Sequence, residues 1–173
     1  MPEQSPVTIG ELPVSRWSEY KELRLGSLKT EPQAFGSSYE NTLLHPDAVW
    51  QARLEAVIGS DTNWLLFAEE ENRLIGMIGA SREAATADVF SVYVTKPARG
   101  RGLSKMLLAH VIDGITKSGG VEIIRLTVNK DQMPALALYR SFGFEIVGDE
   151  EVIMGDGLMH TEYVLEKRLR TQL

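Results

Sequence analysis

The stretch Asp88-Val89-Phe90-Ser91-Val92-Tyr93-Val94-Thr95-Lys96-Pro97-Ala98-Arg99-Gly100-Arg101-Gly102-Leu103-Ser104 decides the fold, because its structural period changes in the middle. Asp88 to Val94 is rich in β-branched and aromatic residues and reads as a strand that Pro97 ends. From about Gly102 to Lys117, Leu103, Met106, Leu107, His110, Val111 and Ile115 recur at helical spacing, and Gly119-Gly120 supplies the stop. Ile123 to Val128 is strand-like again. A strand, a helix and a second strand of one sheet form a right-handed crossover, so two parallel strands are expected near the sheet centre.

Working outward, Val7-Thr8-Ile9 reads as a short first strand. A helix is expected from Ser15, as its cap, to about Lys29, broken by Thr30-Glu31-Pro32. Ala34 to Glu40 reads as a loop or a loosely helical segment, and a second helix follows Pro46 with Val49, Trp50, Leu54 and Val57. Trp64 to Ala68 and Leu74 to Ala80 form a hairpin about the polar turn Glu69 to Asn72, with Gly76 and Gly79 marking close backbone approach or a bulge. Asp131 can cap a helix through Phe142, and Phe144 to Val147 and Glu162 to Leu165 are the last strands. The order predicts an α/β fold, one mixed sheet flanked by helices, in a single domain over residues 1–173.

Composition narrows the function classes. Hydrophobic residues at 43% and charged residues at 24% suit a soluble globular protein. No apolar run is long enough to cross a bilayer, and Met1-Pro2-Glu3-Gln4 does not open a signal peptide. With no Cys, a disulfide framework and a Cys nucleophile are excluded, which is compatible with the cytoplasm. Three scattered His show no metal-ligand spacing. A net charge of −6 argues against nucleic acid as the partner. Yet from Val89 to Ile112 the charged residues are Lys96, Arg99, Arg101 and Lys105, all cationic. An anionic ligand at that spot explains the cluster, and a solvated loop is the alternative.

The chemistry of the junction favours the ligand. A strand end that turns through Arg-Gly-Arg-Gly into a helix points free N–H groups at one place, beside the positive end of the helix dipole. The glycines admit close approach and φ > 0, and the two arginines match phosphate. The P-loop pattern is absent, and G-x-G-x-x-G would need Gly where Lys105 stands.

These residues resemble the GNAT family of N-acetyltransferases. Its signature [QR]-x-x-G-x-[GA] maps onto Arg99, Gly102 and Ser104, the last a small departure. A second block, N-x-x-A-x-x-L-Y-x-x-x-G-F, matches Ala135, Leu138, Tyr139, Gly143 and Phe144, with Gln132 in the Asn position. The resemblance covers roughly Leu65 to Leu165. It implies a central, mostly antiparallel sheet of six or seven strands, flanked by about four helices, with its two parallel strands splayed apart. It implies acetyl-CoA as cosubstrate, with no metal. Val92, Tyr93 and Val94 would pair with pantetheine, and Arg99, Gly100, Arg101, Gly102, Leu103 and Ser104 would hold the pyrophosphate. Asn129, Gln132 and Tyr139 complete the expected coenzyme contacts.

An acceptor amine must lose its proton before it attacks, since an alkyl ammonium has a pKa of about 10.4. The resemblance makes Tyr139 the acid that meets the departing thiolate; on helical spacing alone Tyr139 is equally a core residue beside Ala135, Leu138 and Phe142. Asp88 is a candidate base, against the simpler reading that it starts a strand. Glu40, Glu83 and His160 are further candidates for the acceptor pocket. Glu145, Asp149, Glu150, Glu151 and Asp156 attract a cationic amine or form a solvated surface. The expectation is acetyl transfer to a primary amine of a small molecule or peptide, with a non-catalytic CoA-binding domain as the rival. A homodimer is possible, with Tyr163-Val164-Leu165 contributing an edge.

Overall fold

The computed structural model describes residues 4–170, so the opening Met1-Pro2-Glu3 lies outside the described residues. Seven strands form one sheet: β1 (Val7–Gly10), β2 (Asn63–Glu70), β3 (Arg73–Glu83), β4 (Thr86–Val94), β5 (Ile123–Asn129), β6 (Glu145–Ile153) and β7 (Met159–Arg168). Their spatial order is β1-β2-β3-β4-β5-β7-β6, and only β4 and β5 run parallel. Five α-helices accompany them among the described residues: α1 (Trp17–Thr30), α2 (Tyr39–Leu43), α3 (Asp47–Glu55), α4 (Leu103–Ser118) and α5 (Met133–Ser141). The expected mixed sheet with central parallel strands is present.

Both faces of the sheet are packed. On one side α4 buries Leu103, Leu107, Leu108, Val111 and Ile115 against Ile78, Ala87, Val89 and Ile124. On the other, Tyr20 and Leu23 of α1 and Trp50 and Leu54 of α3 cover Phe67 and Met77. Each fully buried Leu or Ile contributes roughly 1.5–3 kcal/mol, so these two stripes anchor the helices that frame the sheet. No helix of the described residues is long and apolar enough to cross a membrane.

Several boundaries differ from the sequence reading. Ser15 sits in a 3-10 turn, Val14–Arg16, and does not cap α1, whose N-terminal partner is Arg16 paired with Glu19. The segment after Phe35 closes into α2 because Ser38 Oγ accepts from Asn41 N at 3.2 Å. Asp131 does not cap α5, which begins after Gln132. β7 is paired on both sides, by β5 and β6, and offers no edge; the edge strands are β1 and β6. Glu145, Asp149, Glu150 and Glu151 lie exposed along β6, the solvated surface that keeps an open strand edge from pairing.

Candidate active site

The centre of the sheet is open. β4 and β5 pair only over Thr86–Asp88 against Ile123–Arg125, and from Val89 onward this side of β4 has no strand partner. A bulge adds to the separation. Met77 pairs with Tyr93 but Gly79 with Phe90, so β4 carries one residue more than β3, and Ser91 takes φ +56°. The extra residue reverses the side-chain alternation: Ala87 and Val89 face α4 before it, Val92 and Val94 after it. Phe90 stands on the opposite face, its ring where a Gly79 Cβ would lie, 2.5 Å from its edge. This is the close approach expected at Gly79, with the bulge in the partner strand.

The opening holds two adjoining cavities. One, of about 520 Å³, is lined by Val92 to Val94, by Arg99, Gly100 and Gly102 to Lys105, and by Gln132, Pro134, Ala135, Leu138 and Tyr139 of the α5 segment. Gly100 and Gly102 have φ of +78° and +77°, which a side chain would strain, and Gly102 places the first free N–H groups of α4 at the cavity. Arg99 Nε donates to the Val94 carbonyl at 3.0 Å, and Arg99 also meets Glu31 at 2.8 Å. Three of its five donors remain for a ligand. Arg101 is engaged elsewhere. Its guanidinium is bidentate to Glu70 at 2.7 and 3.0 Å and does not line the cavity.

Asn129 is likewise engaged elsewhere. It is buried, and its amide is spent on Gln33 O, His160 Nδ1 and the Asp131 N–H. It ties the Pro32–Ala34 turn to the end of β5 and lines neither cavity. Gly155 secures the same lip from the β6–β7 turn: its N–H donates to Phe35 O at 2.7 Å, and a Cβ there would collide with Ser37 O. Gln132 does line both cavities.

The second cavity, of about 420 Å³, lies between Val89–Val92 and Leu126–Val128 and shares Glu31, Val92, Gln132 and Tyr139 with the first. Tyr139, on α5 with its ring edge-on to Phe144, is buried, and burial pushes its phenol up to about 12. Glu162 of β7 enters the same cavity from across β5 and is 8% exposed. Burial raises its carboxyl above the ordinary glutamate range, with Glu150 adding to the shift while Thr127 and His160 oppose it. Sequence reading placed Glu162 on a strand but gave it no role. The signal was a carboxylate opening an apolar run, and its direction became visible only once β7 was seated beside β5.

Asp88 does not reach this site. It is exposed and sits where β4 and β5 are still paired, opposite Arg125 and before the gap opens. Glu40 and Glu83 are exposed and line neither cavity, and His160 is held by Asp156 at 2.7 Å. A third cavity, of about 390 Å³, adjoins the second through Arg24, Ser37, Phe90 and Ser91 and extends under α1 and α3.

The Acetyltransferase (GNAT) family profile matches residues 28–144, and the chain belongs to that family. It is 32% identical to the N-alpha-acetyltransferase RimI of Mycobacterium tuberculosis over 72% of this chain and 79% of that protein. It is 32% identical to a mycothiol acetyltransferase of Mycolicibacterium vanbaalenii over 62% of this chain. The chain spans only 37% of that relative's length, and 39% of a Mycobacterium leprae protein that it also matches. Among solved structures, a GNAT acetyltransferase from Streptococcus pneumoniae superposes with a TM-score of 0.81, covering 95% of this chain and all of that one at 24% identity. YncA of Salmonella typhimurium, solved with its cofactor acetyl-CoA, superposes with a TM-score of 0.81 over 98% of this chain and 97% of that one at 18% identity.

Proposed function

We propose that this protein transfers an acetyl group from acetyl-CoA to a primary amine by direct attack within a ternary complex. One observation carries the reading: a continuous opening joins the free N–H groups of α4 at one end to Tyr139 and Glu162 at the other. The residues fit the coenzyme. Free N–H groups and Arg99 suit a pyrophosphate, and the unpaired side of β4 suits the amides of pantetheine. Acetyl-CoA bound there supplies the acyl group already activated as a thioester.

Glu162 accepts the proton that the acceptor nitrogen sheds. The ammonium first gives one proton to water, which frees the lone pair for attack, and the second proton, made acidic as the nitrogen–carbon bond forms, passes to Glu162, whose carboxylate is made more basic by burial. Tyr139 donates to the departing sulfur. A phenol at about 12 is a weak acid toward a thiol whose pKa in water is near 8.5. The same burial destabilises a thiolate beside it, which narrows the gap, and keeps Tyr139 protonated across the working pH range. Backbone N–H groups on the unpaired side of β4 supply the donors for the carbonyl oxygen in this reading.

The relatives' names point to different acceptors, among them a protein α-amine and free L-amino acids, so they support acetyl transfer without selecting one. The test is calorimetric titration with acetyl-CoA followed by free-CoA release over a panel of amines. Binding with turnover supports the proposal. Binding with no turnover on any amine leaves a CoA-binding domain, and absence of binding removes the reading.

A further inference from the structure

The third cavity is chemically unlike the other two. Arg24, Arg53 and His45 line it together with Tyr20, Thr42 and Asn63, and no Asp or Glu does. On a chain of net charge −6 this is a pocket with the opposite sign. Neither arginine has a carboxylate partner among the described residues. Arg24 stacks its guanidinium on Phe35, 4.8 Å from the ring centroid, and Arg53 lies 5.1 Å from the Trp50 ring. Neither ring contact is a conventional hydrogen bond, so both groups keep N–H donors for something else. Arg24 Nη1 is buried with no hydrogen-bond partner. Burial depresses the Arg24 guanidinium, Tyr20 opposes that shift and Arg53 adds to it, so the cation is held in place at a cost that an anion would relieve.

The position of Arg24 gives the pocket its meaning. Its side chain lines both the third cavity and the one that contains Tyr139 and Glu162. A small molecule in that shared space meets a cation at one end and the acid–base pair at the other. We propose that the acceptor is a carboxylate-bearing amine of amino-acid type, its carboxylate held by Arg24 with Arg53 behind it and its amine delivered to Glu162 and Tyr139. A monoanion suits the site better than a phosphate or phosphonate dianion, because Glu31 and Glu162 line the shared cavity and repel added negative charge. The proposal rests on the acetyltransferase reading given above.

The experiment measures free-CoA release from acetyl-CoA with the twenty amino acids, their α-amides, the decarboxylated amines and matching aminoalkylphosphonates. The expected result is kcat/KM at least tenfold higher for the best amino acid than for its amide and amine. The amide has the less basic nitrogen and is the more readily deprotonated, so without carboxylate recognition it would be the faster acceptor. Arg24→Gln should raise KM for the amino acid roughly 10- to 100-fold, the scale of a lost charge-assisted hydrogen bond, and bring the amino acid to amine ratio towards one. Should that variant fail to fold, Arg53→Gln and the discrimination by the unmodified protein still decide the matter.

Equal or faster turnover of amides, amines or phosphonates overturns the proposal, as does an unchanged ratio in a folded Arg24→Gln. Turnover of no acceptor, with acetyl-CoA still bound in calorimetry, overturns it too. If acetyl-CoA itself does not bind, it is the acetyltransferase reading that has failed.

Discussion

The two ends of the central opening are built in different ways. The proposed coenzyme end comes mostly from two stretches of chain, within residues 92–105 and 132–139, and offers backbone groups and glycine geometry. The proposed acceptor end gathers one to three residues each from α1, the loop before α2, α2 and the turn after it, α3 and the residues that follow it, β2, β3 and β4. The first is fixed wherever a strand turns into α4. The second exists only when distant elements meet, and each of its residues can change without disturbing that turn. A site made this way can keep one coenzyme while its acceptor varies, and the charges differ accordingly: free helix N–H groups with Arg99 at one end, Arg24 and Arg53 at the other.

The sharpest way to break this division is at Tyr139, where the two ends meet. Tyr139→Phe keeps the ring that packs on Phe144 and removes only the hydroxyl. The expected loss in kcat is about 10²-fold or more, the scale of general-acid catalysis, with acetyl-CoA affinity within twofold. Because burial holds the phenol near 12, kcat should show no basic limb from this group below about pH 11. Unchanged kcat in the variant would make Tyr139 a core residue.

Glu162→Gln tests the other partner and separates catalysis from stability. The folded-state carboxyl is raised, so the native protein binds more protons than the unfolded chain between the ordinary glutamate pKa and the raised one. Stability therefore falls as pH rises through that window, and at neutral pH the buried charge is a cost. Gln removes the charge: the melting temperature at pH 7 should rise slightly, while kcat/KM falls by roughly 10²-fold and its acid limb disappears. A lower melting temperature with the acid limb intact would assign Glu162 a structural role.

These two residues also show what the sequence could carry. Tyr139 stands out in the sequence because it lies in a run whose meaning is local, four residues before Gly143 and five before Phe144, and its proposed role rests on that run. The parallel strands, the turn at Gly100 and Gly102 and the core stripe of α4 were legible for the same reason. Glu162 and Arg24 do not stand out, since the roles proposed for them depend on β7 lying beside β5 and on α1 lying over the opening. Asp88 misled because a strand's length says nothing about where its neighbour departs. Arg101 and Asn129 misled because Glu70 and Gln33, which occupy them, come from remote segments.

That contrast predicts a difference between two arginines two residues apart. Arg99 lines the coenzyme cavity with donors to spare, and Arg101 is committed to Glu70. Arg99→Ala should weaken acetyl-CoA binding about tenfold, the lower end of a charged contact because the side chain is partly exposed. Arg101→Ala should leave that affinity within twofold. Equal losses in calorimetry would show that the Glu70 pair opens when the coenzyme enters.

The smallest expected effect probes the boundary between the ends most directly. Phe90 lines both acceptor-side cavities but not the coenzyme cavity, and it is nearly half exposed. A methyl added by Gly79→Ala would lie 2.5 Å from its ring edge, so the ring must swing away, which its exposure makes inexpensive. Melting temperature should change by no more than a degree or two. KM for the acceptor should shift a fewfold as the wall moves, with acetyl-CoA affinity unchanged. If acetyl-CoA affinity shifts instead, the ring's displacement has passed through the bulge at Ser91 to Val92 and Tyr93, and the two ends are mechanically coupled rather than merely adjacent.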